Sequence, residues 1–442
     1  MTTPLRVVVV GAGPAGIAAA AIAAENGCQI RLLDENHAPG GQIWRGYDAG
    51  TASSSPHGRE FAKWIRRLEA SGAAWEADSC VLDSPAPGVL RVERAGRWDD
   101  LSWDRLVIAT GARERFLPFS GWTLPGVIGA GGLQAMVKGG LPIAGKRIVV
   151  AGSGPLLLAV AAALRREGAK IEGIFEQAPR GRLAIVGASL AALPGKFAEG
   201  ARYRWQTRGV PYKPGWWVKR ALGEDRLQGV VVSDGNDHRE TPCEYLACGF
   251  HLVPNLELAQ LLGCRIDAGY VTVNAVQETS VNSVYCVGEP TGIGGLDKAL
   301  VEGQIAGFAV AGHLGKAAEF LPLRQKLRRF AQLLDNAFAP RAELRALAAS
   351  DTIVCRCEDV THGELAECAS GRAARLHTRC GMGPCQGRIC GPATQFLFGW
   401  TVASARPPLY PARLATLAGQ VLNGESKPAG ITRTPQKPRQ TA

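Results

Sequence analysis

The first forty residues contain the pattern that most constrains the fold. The apolar run Val7–Val10 leads into a glycine-rich turn, an alanine-rich stretch follows, and a second apolar run ends at Asp34 and Glu35. Strand, turn, helix and strand in this order are typical of a dinucleotide-binding unit, in which an acid stands roughly 20 residues after the first glycine. Such a turn admits a pyrophosphate at the helix N-terminus. The predicted binding residues are Gly11, Gly13, Pro14, Ala15 and Gly16, with Asp34 on the ribose hydroxyls.

Further turns of the same kind follow along the chain. Gly40-Gly41-Gln42 comes after the second strand, a buried strand ends at Ala109-Thr110-Gly111, and another ends at Gly288-Glu289. This order resembles the flavoprotein disulfide reductases with two dinucleotide domains, in which the corresponding elements hold FAD. The resemblance implies flavin contacts at Gly41, Gln42, Ala109, Thr110, Gly111 and Gly288, and an adenine contact at Val81. Glu289 stands where these proteins usually have the aspartate that binds the ribityl chain.

A second unit of the same design begins at Lys146 and continues through Gly152 and Gly154. Leu157 replaces its third glycine, and its acid, Glu176, comes one place late. Relatives use this domain for NAD(P)H. The residues leave two alternatives open here, a bound nicotinamide nucleotide or an empty or repurposed domain.

The fold class that follows is α/β. It comprises two dinucleotide-binding, Rossmann-like domains, the first split in sequence, and a small C-terminal helical domain. The predicted boundaries are 1–118 and 255–345 for the two parts of the first domain with its helical linker, 119–254 for the second domain, 346–410 for the C-terminal domain and 411–442 for a tail that is mobile from residue 424. Residues 59–68 predict an amphipathic helix, and residues 180–220 show no regular pattern.

Composition excludes some partners. The formal net charge is +11, but the basic residues form no ribbon interleaved with aromatic side chains, which argues against nucleic acid. No apolar run is long enough to span a membrane, and the first strand begins too early for a signal peptide, so a cytoplasmic protein is expected.

The cysteines are concentrated near the C-terminus. Six of the twelve lie between Cys355 and Cys390, which favours a metal over disulfides in a chain without an export signal. Cys355 and Cys357 flank one residue, and Cys385 and Cys390 enclose four. Four thiolates suit a [2Fe-2S] cluster or a structural zinc. The iron–sulfur alternative is favoured because the spacing differs from that of common zinc sites; Cys380 is the second choice in place of Cys385.

The motif Cys355-x-Cys357, followed by Thr378-Arg-Cys-Gly-Met-Gly-Pro-Cys385-Gln-Gly-Arg-Ile-Cys390, is similar to the [2Fe-2S] domain of bacterioferritin-associated ferredoxin. Behind a flavoprotein with two dinucleotide domains, it resembles the α subunits of bacterial heteromeric amine and amino-acid dehydrogenases. That group includes octopine, nopaline and hydroxyproline dehydrogenases and hydrogen cyanide synthase. Glu289 in place of aspartate is expected within it.

This resemblance implies an electron-transfer function. In the group, an FAD-containing β subunit that resembles amino-acid oxidases oxidises the C–N bond, and the α subunit passes the electrons to a quinone or another carrier. Related complexes also hold FMN at the subunit interface. No general base stands in a flavin-contacting motif, since His57, His251, His313, His362 and His377 all lie elsewhere. No catalytic residue is therefore assigned.

Two alternatives compete with the relay. The first is a self-contained NAD(P)H-dependent FAD/[2Fe-2S] reductase, and the second is a scaffold with vestigial cofactor sites. Disulfide reduction is not expected, because no cysteine follows Gly41 closely and Cys243 and Cys248 are too widely spaced for a C-x-x-C motif.

Overall fold

The computed structural model describes residues 4–47, 56–401 and 405–418; the predicted mobile tail from residue 424 lies outside them. The first part of the chain forms β1 Arg6–Val10, α1 Pro14–Glu25, β2 Gln29–Leu33, α2 Pro56–Ala70, β3 Ala74–Glu76, β4 Ser79–Ala86, β5 Val89–Arg94, β6 Arg97–Ser102, β7 Arg105–Ile108 and β8 Ala112–Glu114.

The middle part forms β9 Val127–Gly129, α3 Ala130–Lys138, β10 Arg147–Ser153, α4 Leu156–Arg166, β11 Lys170–Glu176, α5 Arg180–Ser189, α6 Pro194–Gln206, β12 Tyr212–Pro214, β13 Trp217–Leu222, β14 Gly229–Ser233, β15 His238–Pro242, β16 Tyr245–Phe250 and β17 Leu252–Pro254. The last part forms α7 Glu257–Leu261, β18 Ile266–Asp267, β19 Tyr270–Val271, β20 Val284–Cys286, α8 Gly295–Val310, α9 Leu314–Ala318, α10 Leu321–Phe338, β21 Ile353–Cys355, β22 Val360–Thr361, α11 His362–Ala366, α12 Gly371–Thr378, α13 Cys390–Phe398 and α14 Leu414–Leu417.

The first sheet is parallel, with strand order β20-β7-β1-β2-β3. Its outer strand β20 comes from beyond residue 280 and pairs with β7, so the sheet draws on segments at both ends of the second unit. This confirms the prediction that the first domain is split in sequence. A three-stranded antiparallel sheet, β4-β5-β6, follows β3.

Helix α1 packs between this sheet and α8 through small side chains. A Cβ at Gly16 would lie 1.8 Å from the carbonyl oxygen of Gly11, and one at Gly303 would lie 2.3 Å from that of Ala15. No larger residue could occupy these positions without moving a backbone. The predicted amphipathic helix is also confirmed: α2 buries Phe61, Trp64, Ile65 and Leu68.

The second sheet repeats the design. Its order is β12-β11-β10-β16-β9, and the antiparallel sheet β13-β14-β15 accompanies it. The strand β11 has a bulge opposite the step from Ile148 to Val149, beyond which Gly152 lies beside Glu176. The bulge absorbs the extra residue found in the sequence, so the late acid reaches the same structural position as Asp34 in the first domain.

Residues 180–220 depart from the sequence interpretation, because they form α5, α6 and β12. Neither α5 nor α6 contains a buried residue. Leu183, Val186 and Leu190 have helical spacing and pack against α10, but they are only partly buried, and the alanines, glycine and serine between them blur the apolar face that identifies a helix in a sequence.

The C-terminal region packs on both preceding parts. The indole N–H of Trp122 donates to the carbonyl of Ile353 at 2.6 Å, and Leu409 N–H donates to Leu82 O at 2.8 Å. Leu409 is buried in the same core as Leu33 and Val81. Among the described helices, none has both the length and the apolar character needed to cross a bilayer.

Candidate functional site

The glycine-rich turn after β1 has the geometry that a phosphate-binding turn requires. Gly11 has a φ of +107°, and a Cβ there would lie 2.3 Å from the carbonyl oxygen of Ala109. Helix α1 begins at Pro14, and no side chain caps its N-terminus. Its first N–H groups therefore face the end of the sheet, where a pyrophosphate would be held.

Asp34 is buried at the end of β2 and turned toward this glycine turn. Its carboxylate accepts hydrogen bonds from Ala12 N at 2.6 Å and from Asn36 N at 2.8 Å. Glu35, the next residue, has an exposed side chain. Desolvation by its surroundings and the Asp34 charge raise the pKa of Glu35, while Arg388 and Arg45 oppose that shift.

The second glycine loop lies against the first. Gly40 N–H donates to Ala12 O at 2.7 Å, and a Cβ on Gly41 would lie 3.0 Å from Gly13 Cα. Gln42 next to it is exposed. The two loops and the start of α1 thus form one glycine-lined cradle, which fits the close approach of a dinucleotide.

The turn after β7 borders the same cradle. Thr110 Oγ1 donates to Asn255 O at 2.8 Å, and Asn255 Nδ2 donates to Thr110 O at 2.8 Å. Gly111 has a φ of +68°, which suits a residue without a Cβ. Val81, on β4, is buried.

Glu289 does not project freely from the Gly288 turn. Its carboxylate accepts hydrogen bonds from Gly294 N at 2.8 Å and Gly295 N at 3.0 Å, at the start of α8. Burial raises the pKa of Glu289. The longer side chain therefore closes the helix N-terminus, which an aspartate at this position reaches less easily.

Sequence reasoning missed a buried ion pair behind this turn. Lys298 Nζ donates to Gly288 O at 2.9 Å, Thr291 Oγ1 at 2.9 Å and Glu302 Oε2 at 2.8 Å. Lys298 is 1% exposed and Glu302 is fully buried. The signal in the sequence was a Lys and a Glu four residues apart within an otherwise apolar helical run.

The second dinucleotide unit has an equivalent acid. Glu176 accepts hydrogen bonds from Gly154 N at 2.8 Å and Ala178 N at 2.9 Å, and Gly152 has a φ of +133°. Burial raises the pKa of Glu176 to about 7.

The crevice beside Glu176 is filled by the end of α10. Ser153 Oγ donates to Phe338 O at 2.9 Å, and Gln177 Nε2 donates to Phe338 O at 3.4 Å and Ala339 O at 3.3 Å. Arg341 N–H donates back to Gln177 Oε1 at 3.1 Å. The space at this sheet edge, where a nucleotide binds in open α/β folds, holds the protein's own chain.

The cysteines near the C-terminus meet at one centre. The sulfur atoms of Cys355, Cys380 and Cys390 all lie within 4.8 Å of one another, and all three residues are buried. The thiol of Cys385 is hydrogen-bonded to Cys390 and Cys357. The compact group thus contains two of the four predicted ligands, Cys355 and Cys390, and Cys380, which sequence reasoning ranked second; Cys385 adjoins Cys390, and Cys357 adjoins Cys385. Which four of these five bind a metal stays a prediction.

The surroundings lower the pKa of two of these cysteines, Cys355 and Cys385, and raise that of Cys357, Cys380 and Cys390. Gly381 N–H donates to Cys355 Sγ at 3.4 Å. Hydrogen bonds from the Cys380 and Cys390 thiols lower the pKa of Cys355, and one from Cys390 lowers that of Cys385. Thiolates are the form that binds iron or zinc, and three sulfurs within 4.8 Å of one another are a donor set that fits a metal centre.

Gly383 makes the close approach of the two cysteine loops possible. A Cβ there would lie 2.4 Å from Cys357 Cβ. We expect Gly383→Ala to separate the loops and to speed the loss of iron to a chelator by about ten-fold, since overpacking costs roughly 1–3 kcal/mol. Gly315→Ala is the control, because a Cβ at Gly315 meets open space. Equal rates of iron loss in the two variants would contradict this account.

Fold and site together define a class. The family described as pyridine nucleotide-disulphide oxidoreductase matches residues 5–306, and this chain belongs to it. Relatives that align with nearly the whole chain have more specific names than this family. The A subunit of the opine oxidase of Rhizobium meliloti (strain 1021) is 34% identical in an alignment 466 positions long, gaps included, which covers 94% of this chain and 98% of that protein.

The HcnB subunit of the hydrogen cyanide synthase of Pseudomonas aeruginosa is 31% identical over 421 residues, covering 87% of this chain and 91% of that one. The chain is therefore a flavoprotein oxidoreductase related to these two subunits. A solved structure, L-proline dehydrogenase from P. horikoshii, matches with a TM-score of 0.68 at 20% identity, covering 94% of this chain and 80% of that one. That likeness shows a shared fold.

Proposed function

We propose that this chain is the flavin and iron–sulfur electron-transfer subunit of a heteromeric dehydrogenase that oxidises the C–N bond of an amino acid or an opine. One contact carries the proposal. Arg113 Nε donates to Arg388 O, at 3.1 Å, on the loop between Cys385 and Cys390. Arg113 Nη1 also donates to Asn255 Oδ1 at 2.6 Å, and Asn255 is bonded to Thr110 at the flavin-type turn.

This path joins the two cofactor sites through consecutive hydrogen bonds. Two sites held in direct contact suit electron transfer more than independent functions do. The names of the relatives add the reaction class, since one belongs to an opine oxidase and another to a hydrogen cyanide synthase.

In this proposal the substrate is oxidised on a partner subunit that resembles amino-acid oxidases. Converting CH–NH to C=N releases two electrons and two protons. A bound flavin accepts electrons in pairs and an iron–sulfur centre passes them singly. Gly11, Gly13 and α1 bind the nucleotide, and Asp34 orients it. The cysteines would hold the cluster. Backbone N–H groups such as that of Gly381 would stabilise the negative charge on the sulfurs. An FMN at the subunit interface and an external quinone or carrier complete the proposal.

The rival function, an NAD(P)H-dependent reductase, requires the second unit to bind a nicotinamide nucleotide. Residues 338–341 lie at the crevice where it would bind, and they are bonded to Ser153 and Gln177. We expect NADH to leave the flavin absorbance unchanged in a rapid-mixing experiment, whereas dithionite should bleach it. Bleaching by NADH within seconds would favour the rival.

The direct test is purification of the complex from its host under anaerobic conditions. We expect a companion chain, flavin absorbance and about two iron atoms per chain, the content of a [2Fe-2S] cluster. The amine substrate should bleach the flavin and generate a paramagnetic signal from the cluster. Zinc at the cysteines, or a protein without flavin, would overturn the proposal.

A further inference from the structure

Arg388 belongs to the cysteine loop, but its side chain reaches the first domain. Its Nη2 donates to Leu409 O at 3.0 Å, and its guanidinium lies over the ring of Tyr410, 4.0 Å from the ring centroid. Leu409 is itself bonded to Leu82 O, one residue after Val81. The Arg388–Tyr410 pair therefore lies beside the strand that resemblance assigns to adenine binding.

The charges around this pair come from the nucleotide-binding half of the first domain. Arg388 acts electrostatically on Glu35 and Cys80, and burial raises the pKa of Tyr410, with further contributions from Glu257 and Glu35. Arg388 from the cysteine loop thus faces Glu35 after β2, and Tyr410 faces Glu35 and Glu257, the first residue of α7.

Two buried polar atoms in this cluster have no hydrogen-bond partner among the described residues, Nε of Arg388 and Oε2 of Glu257. The other oxygen of Glu257 pairs with Arg113 at 3.0 Å. Arg113 also donates to the carbonyl oxygen of Arg388 at 3.1 Å, so both residues lie against the same guanidinium. An unsatisfied buried group costs stability, so an open donor and an open acceptor in one cluster indicate a ligand that offers both. Ribose hydroxyls have this property, since each can donate and accept.

We propose that Arg388 and Tyr410 form a wall of the adenine-nucleotide site in the first domain, where Arg388 Nε and Glu257 Oε2 bind the adenosine part of the dinucleotide. This deepens the proposed function and rests on it for the identity of the dinucleotide. The cysteine loop is then part of the nucleotide site. Because coupling between two sites is reciprocal, bound nucleotide also stabilises the loop that holds the cluster.

The experiment compares Arg388→Gln with Arg372→Gln in the full chain containing iron. Arg372 is an exposed arginine on α12 of the same domain. ADP, FAD and NAD⁺ are titrated separately by calorimetry after the native nucleotide is removed. Loss of a hydrogen bond to a charged group should weaken ADP binding about ten-fold or more in Arg388→Gln, with iron and sulfide content unchanged. Arg372→Gln should bind like the wild type.

The three probes separate the sources of the adenosine group. An equal loss for ADP and FAD supports contact with the shared adenylate part. ADP affinity within two-fold of the wild type, or absence of ADP binding to the wild-type chain, overturns the proposal.

If Arg388→Gln fails to fold, an experiment on the wild-type chain still tests the coupling between the nucleotide site and the cysteine loop. The rate at which a chelator removes iron is measured with and without saturating ADP. We expect ADP to slow iron release several-fold, and an unchanged rate overturns the coupling. Neither measurement depends on amine oxidation. The electron-transfer function and this nucleotide-binding proposal can therefore be rejected independently of each other.

Discussion

Replacing Cys390 by serine should reduce bound iron from about two atoms per chain to near zero. The thiol of Cys390 is hydrogen-bonded to those of Cys355, Cys380 and Cys385, so it stands at the middle of the sulfur cluster. A serine hydroxyl is a poor ligand for iron in a site of this kind. Iron and acid-labile sulfide analysis with the visible absorbance spectrum measures the loss. A variant that keeps its full iron content would remove Cys390 from the ligand set.

The same measurement distinguishes Cys380 from Cys385. Loss of iron in Cys385→Ser, with retention in Cys380→Ser, supports the predicted ligand set, and the opposite result supports the second choice. Cys368→Ser is the matched control. Its thiol donates to Glu364 O at 3.5 Å, and it lies in the same domain outside the sulfur centre.

Lys298→Met should lower the free energy of unfolding by about 3–5 kcal/mol, the usual cost of removing one partner of a buried ion pair. The substitution leaves the carboxylate of Glu302 buried with Gly288 N and Thr291 Oγ1 as its remaining partners. Urea unfolding followed by circular dichroism measures the change. We also expect weaker flavin retention, because Lys298 binds the carbonyl of Gly288 at the predicted flavin turn.

The control for this prediction is Lys63→Met. Lys63 pairs with Glu60 on the surface of α2, and its side chain is 63% exposed. Surface pairs of this kind contribute little, so its stability should stay close to that of the wild type. Equal effects of the two substitutions would show that the buried pair has no special role.

The sequence predicted what depends on local spacing. Glycine turns, the strands before them and the acid at the end of β2 are fixed by residues close together in the chain, and the first domain matches them. The cysteine pairs were recognisable for the same reason. The pairing of β20 with β7 is a long-range feature; the sequence predicted only that the chain returns to the first domain after residue 255.

Other features depend on contacts that no local pattern encodes. The bulge in β11 places Glu176 opposite Gly152 only because β11 pairs with β10. The approach of Cys380 to Cys355 depends on how two loops pack. The contacts of residues 338–341 with Gln177 join segments at least 161 residues apart in the chain. The helices α5 and α6 contain only partly buried apolar side chains, and their packing against α10 is a long-range contact.

The end of α10 and the residues after it lie in the crevice of the second dinucleotide unit. This limits which substitutions could open that crevice. Ser153 and Gln177 bind the main-chain carbonyls of Phe338 and Ala339, and every amino acid supplies such an oxygen. No substitution of Phe338 or Ala339 would therefore remove these hydrogen-bond acceptors. A nicotinamide nucleotide in this crevice would require the backbone of residues 338–341 to take another path, a change that replacing one side chain does not supply.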